Sequence, residues 1–156
     1  ERDGEVIAGV IYNPVTDEMF IAEKGQGAYL NERRLRVSAR RRLDEAVIAT
    51  GIPHKGRGDH PVFLKRLEAV MAETAGVRRM GSAALDLAYV AAGRCGGYWE
   101  AGLTPWDFAA GIVIVREAGG YVTTVEDGTD MVATGSILAA NDRLHKPLGT
   151  LLRKAG

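Results

Sequence analysis

Two stretches of this chain have helical patterning and almost no polar face. Residues 82–92, starting Ser82-Ala83-Ala84-Leu85, and residues 106–118, starting Trp106-Asp107-Phe108-Ala109-Ala110-Gly111, are apolar nearly all round. Helices of that kind must be buried on most sides. Their neighbours are strand-like. Period-2 or compact apolar runs cover 6–12, 19–22 and 28–30, separated by the turn clusters Asn13-Pro14-Val15-Thr16-Asp17 and Gly25-Gln26-Gly27. A short edge strand is expected over 35–38, and a buried strand over 46–50, stopped by Gly51 and Pro53.

Residues 60–75 place Phe63, Leu64, Leu67, Val70 and Met71 at helical spacing. Gly97-Tyr98-Trp99-Glu100 reads as a strand ending in a carboxylate. Strands follow near 121–125 and 136–140, with a last helix from about 142 to 154. A strand meander followed by strands alternating with buried helices implies an α/β fold of the layered α+β kind, not a bundle or a sandwich. The expectation is a single domain over residues 1–156, since 156 residues suffice for one real core and not for two.

Composition narrows the function classes. Twenty basic and twenty acidic residues cancel, so no global field points to nucleic acid or to a membrane. The sequence shows no apolar run long enough to span a bilayer and no signal-like start. The lone Cys95 excludes an internal disulfide and suits a reducing cytoplasm. Arg2-Asp3-Gly4-Glu5 reads as a hairpin turn by its Asp-Gly pair, with nothing ahead of it to pair as the first strand. That pattern suits either a chain beginning partway through a larger fold or an unpaired terminus.

Asp107 has a purely structural explanation. Thr104-Pro105-Trp106-Asp107 places Thr at N-cap, Pro at N1 and an acid at N3, close to a capping box. Ser82 likewise reads as a plain N-cap after Gly81. The wider pattern goes further. Glu100 stands seven residues before Asp107, Trp106 stands beside it, Ala109-Ala110-Gly111 follows, and Glu117-Ala118-Gly119-Gly120 closes the helix. Met80-Gly81-Ser82-Ala83-Ala84, Ala49-Thr50-Gly51-Ile52-Pro53-His54, Gly9-Val10-Ile11-Tyr12-Asn13-Pro14 and Glu23-Lys24-Gly25-Gln26-Gly27-Ala28 fit the same pattern.

Together these segments resemble the carboxyl-terminal portion of the inositol monophosphatase family, over nearly the whole chain. The resemblance implies the later part of an αβαβα sandwich and hydrolysis of a small polyol phosphate, inositol monophosphate above all. It implies Mg²⁺ as cofactor and a homodimer. It also implies that Asp107 ligates a metal, that Glu100 accepts hydrogen bonds from sugar hydroxyls, and that Gly81, Ser82 and Ala83 line the substrate pocket. Hard carboxylate oxygens suit Mg²⁺, and an ionised acceptor suits a polyol. Related branches act on histidinol phosphate, fructose bisphosphate or phosphoadenosine phosphate, and a non-catalytic interaction module is the reading from another class.

Two features depart from the family pattern. Cys95-Gly96 stands where relatives often carry an acid, outside the expected pocket. More important, the family's acidic helix and its Asp-Pro-[Ile/Leu]-Asp-Gly-Thr loop do not occur in these 156 residues. Glu126-Asp127-Gly128-Thr129 mimics the end of that loop without the Asp-Pro and reads as a turn. No catalytic residue is therefore expected in this chain, and the chain alone is expected to be inactive.

Other clusters read as structural. Arg33, Arg34, Arg36, Arg40, Arg41 and Arg42 lack interleaved aromatics, which favours a solvated edge over a nucleic-acid surface. Asp44, Glu45 and Glu117 read as solvated or capping acids. His54, His60 and His145 show no ligand spacing and are expected at the surface, and Cys95 has no obvious base to activate it.

Overall fold

The computed structural model describes residues 1–56 and 58–156. The first sheet is an antiparallel meander of β1 (Ala8–Asn13), β2 (Glu18–Glu23), β3 (Gly27–Leu30) and β4 (Arg33–Arg34). Alternation sets its two faces. Ile11, Phe20 and Ala22 are buried, while Val10, Tyr12, Met19 and Ile21 face outward and are exposed. The register pairs Ile11 with Phe20 and Val10 with Ile21, so each face is coherent across the strands.

The second sheet has the order β6-β5-β7-β9-β8, with β5 (Val47–Thr50), β6 (Gly76–Arg78), β7 (Gly97–Glu100), β8 (Tyr121–Thr123) and β9 (Ile137–Ala140). β5 runs parallel to β6 and β7, and β9 is antiparallel to β7 and β8. Between the sheets lie α2 (Ala83–Ala91) and α3 (Pro105–Glu117), which contact each other, the meander and the second sheet. On the far side of the second sheet, α1 (His60–Glu73) and α5 (His145–Ala155) pack together. The order is sheet, helices, sheet, helices. This is the mixed α/β layering expected, and it explains why α2 and α3 have almost no polar face.

Two glycines set the spacing of the middle layer. A Cβ on Gly111 of α3 would meet Leu87 Cδ1 at 2.5 Å, and one on Gly9 of β1 would meet the Ala110 backbone oxygen at 2.7 Å. Contacts that short exclude any side chain, so helix packs directly on helix and on strand. At its carboxyl end α3 stops through Gly119, with φ +88°, whose N–H donates to the Arg116 carbonyl.

Several expectations need correction. Residues 35–38 are not the edge strand; that strand is Arg33–Arg34. The chain turns out of the sheet there, because Val37 N–H donates to the Ala118 carbonyl and Asn141 Nδ2 donates to the Ser38 carbonyl. The three-residue strand β6 and the one-turn helix α4 (Met131–Thr134) are too short to have shown a period. The last helix starts at His145 and not near 142, since Asn141 Oδ1 accepts from the backbone of Arg143 and Leu144 and holds a turn there. Trp106, expected within a buried helix, is 82% exposed. His145 is half-buried with Nε2 against Thr123 Oγ1, and burial lowers its pKa, so it is not a surface histidine.

Other expectations hold. Arg2 and Glu5 form an antiparallel bridge around Asp3 and Gly4, both at positive φ. The six clustered arginines are exposed, and Cys95 is buried with its thiol pKa pushed up by that burial. Among the described residues no helix is long and apolar enough to cross a membrane.

Candidate active-site cleft

The second sheet and the middle helical layer bring the ends of three elements together. β7 ends at Glu100, and a short loop leads to Thr104, the N-cap of α3, with Asp107 at N3. α2 starts beside them: Gly81 takes φ +92°, and Ser82 Oγ caps the helix by accepting from Leu85 N–H at 3.5 Å. These ends surround a cleft of about 320 Å³ lined by Gly81, Ser82, Ala83, Glu100 and Asp107, with Gly51 on the β5 side. All five residues singled out in the sequence meet in this one cleft. Two helix N-termini open into it, so their positive dipole ends face a cleft that also carries the carboxylates of Glu100 and Asp107.

The capping box is present. Asp107 Oδ2 accepts from Thr104 N–H at 2.9 Å and from the Thr104 hydroxyl at 2.6 Å. Those bonds do not remove Asp107 from the cleft, so the structural reading and the functional one are compatible. The Tyr98 hydroxyl donates to Glu100 Oε2 at 2.6 Å. Burial, with the Glu100 charge beside it, pushes the Tyr98 pKa far up, so the hydroxyl remains a donor.

Sequence reasoning missed several residues here. Ile52, His54, Arg79 and Leu103 also line the cleft. Asp86 on α2 is 1% exposed, and neither carboxyl oxygen has a hydrogen-bond partner. Burial raises its pKa to about 7, assisted by the Glu100 charge and opposed by Arg79. A charged residue inside an otherwise apolar helix was the available signal.

The donor set decides what cation this chain could hold. Among the described residues no group of three or more His, Cys, Asp or Glu side chains could hold an ion. Mg²⁺ gives up its waters only to several converging oxygens. Asp107 brings one carboxylate to the cleft and not a cage. Glu126-Asp127-Gly128-Thr129 does not complete it. That segment is a turn closed by Thr124 N–H on the Gly128 carbonyl, with Glu126 paired to Arg66 and accepting from Ser136 Oγ. Glu117, read as a solvated or capping acid, instead accepts from the backbone N–H groups of Gly25 at 2.9 Å and Gly27 at 2.8 Å, joining α3 to the β2–β3 turn.

The model of the inositol monophosphatase family matches residues 2–155. This chain belongs to that family. It is 54% identical over 154 residues to an inositol-1-monophosphatase of Mesorhizobium japonicum, covering 99% of this chain and 58% of that protein. The crystal structure of extragenic suppressor protein suhB from Bartonella henselae is 54% identical and superposes with a TM-score of 0.97, covering 100% of this chain and 61% of that one. An inositol monophosphatase structure from Anabaena gives a TM-score of 0.87 at 39% identity, covering 96% of this chain and 62% of its own. This inositol monophosphatase-family chain thus spans about three-fifths of the relatives it matches.

Proposed function

We propose that this chain is the substrate-reading portion of a Mg²⁺-dependent phosphate monoester hydrolase acting on a small polyol phosphate, inositol monophosphate first. One observation carries the reading: the N-termini of α2 and α3 converge with Glu100 and Asp107 on one cleft. Backbone N–H groups around Gly81, Ser82 and Ala83 would receive the phosphate. Glu100 would accept hydrogen bonds from polyol hydroxyls, with Tyr98 holding one of its oxygens. Asp107 would give one oxygen to a magnesium ion. The donors in this chain do not complete that ion's shell, so no chemical step is assigned to the ion here.

The chain alone is accordingly inactive in this reading. Phosphate release from myo-inositol 1-phosphate by residues 1–156 in excess Mg²⁺ stays far below the roughly 1 per second at the lower end for enzymes. Joining the chain to the part of the Mesorhizobium relative that it does not align with tests the reading directly. The chimera should release phosphate, and Asp107→Asn should abolish that release. A chimera equally active with Asn at 107 would end the assignment. The same chimera with histidinol phosphate, fructose bisphosphate and phosphoadenosine phosphate separates the related branches. Homodimerisation and a cytoplasmic setting belong to the same proposal, the first checked by sedimentation and the second by cell fractionation.

A further inference from the structure

Gly51 follows β5 directly, in a strand register that pairs Thr50 with Trp99, so it stands beside Glu100 at the ends of β5 and β7. The two strand ends are tied there, since the buried Thr50 hydroxyl donates to the Trp99 carbonyl at 2.9 Å. A Cβ on Gly51 would lie 2.0 Å from Glu100 Cδ and 2.1 Å from each carboxylate oxygen. A side chain at 51 would need the space that the carboxylate now fills, so the carboxylate must move to admit one. Gly51 is also absent from the glycines at positive φ, so backbone conformation does not demand glycine at this position. What a side chain there would displace is the carboxylate, which lies against a bare Cα.

The Tyr98 hydroxyl also holds Glu100 Oε2 at 2.6 Å, and Tyr98 is itself fully buried. Gly51 and Glu100 line the main cleft, and both also line a smaller cavity of about 80 Å³ floored by Phe63 and Trp99. The carboxylate therefore borders two spaces, with the bare Cα of Gly51 and the phenol of Tyr98 against it.

We propose that Gly51 is a positioning residue that sets the Glu100 carboxylate for recognition of polyol hydroxyls, with Tyr98 as its counterpart. The proposal rests on the reading of Glu100 as the hydroxyl acceptor and adds what fixes its geometry. Replacing Gly51 with Ala drives the carboxylate off its seat, towards one cavity or the other, and leaves the helix N-termini that receive phosphate untouched. Shortening the acid by one methylene, Glu100→Asp, makes room for that methyl.

The test uses the isotope-labelled 156-residue chain and its Gly51→Ala, Glu100→Asp and Gly51→Ala/Glu100→Asp variants. NMR follows the carboxyl carbon of residue 100 and titrations with myo-inositol 1-phosphate and with inorganic phosphate. Gly51→Ala should shift the residue-100 carboxyl resonance and weaken myo-inositol 1-phosphate about tenfold, the size of one charge-assisted hydrogen bond, without changing the affinity for inorganic phosphate. The double variant should bind the polyol phosphate more tightly than Gly51→Ala alone. An unmoved carboxyl resonance, or equal weakening of both ligands, would overturn the positioning role. If the unmodified chain does not distinguish the two ligands, the reading of Glu100 fails instead, and the carboxyl resonance still decides whether Gly51 seats the side chain.

Discussion

Asp107 accepts two hydrogen bonds from Thr104 through the same oxygen, Oδ2, so the carboxylate that faces the cleft also caps the helix that carries it. In the proposed reading that side chain also holds a metal, and the two roles separate by substitution. Asp107→Ala should cost about 1 kcal/mol of unfolding free energy, the usual loss for a cap. It should also abolish Mn²⁺-induced broadening of neighbouring NMR signals. Thr104→Ala removes the hydroxyl donor only, so it should weaken the cap and keep the broadening. If Asp107→Ala retains the broadening, Asp107 is a cap and nothing more.

Asp86 gives a pH signature. Its carboxyl has a pKa of 3.8 in the unfolded chain and about 7 when folded, because burial and the Glu100 charge disfavour ionisation. The native state therefore holds the proton more tightly. The stability contributed by this group is fully present below about pH 4 and is lost as pH rises through about 7. Asp86→Asn stays neutral throughout. Its stability relative to the unmodified chain should climb between about pH 4 and 7 and then level off, read from urea unfolding at a series of pH values. Parallel pH profiles for the two proteins would mean that Asp86 is ionised in the native state.

Gly111 fixes the separation of α2 and α3, whose N-termini shape the cleft. Gly111→Ala must displace Leu87, since the added Cβ would sit 2.5 Å from its Cδ1 and 2.7 Å from its Cβ. The expected cost is about 1–3 kcal/mol, typical of overpacking a tight core. Leu87→Val in the same chain should recover part of it. Additive effects in a double-mutant cycle would show that this contact does not limit the helix spacing.

Glu117 reaches across layers to two backbone amides of the β2–β3 turn. A glutamine there offers one carbonyl and turns an NH₂ towards a donor. Glu117→Gln should therefore destabilise the chain by about 1–3 kcal/mol. Hydrogen exchange at Gly25 and Gly27 should accelerate more than at the centre of β2, and uniform acceleration would argue against a local clamp.

Much of the site was legible in the amino-acid order, because its ingredients are local. Ser82 and Thr104 announce helix starts, Asp107 sits three residues into its helix, and Glu100 ends a strand of four residues. Each is set by backbone chemistry within a turn or two. Gly51 and Tyr98 were not legible as site residues, and Asp86 showed only as a charge inside an apolar helix. Nothing near Gly51 in the chain reveals that a carboxylate 49 positions away lies against it.

Period and capping in the sequence alone determined that α2 and α3 lie inside, that strands flank them, and which side chains stand at their first turns. Only the tertiary structure decided that those first turns meet β7 at one cleft, that Glu117 reaches a turn in another layer, and that the edge strand ends at Arg34. The reason is range. Helix caps and strand alternation are set by neighbours a few bonds away, whereas convergence, burial of a charge and the fit of a carboxylate on a glycine depend on residues brought together only when the layers close.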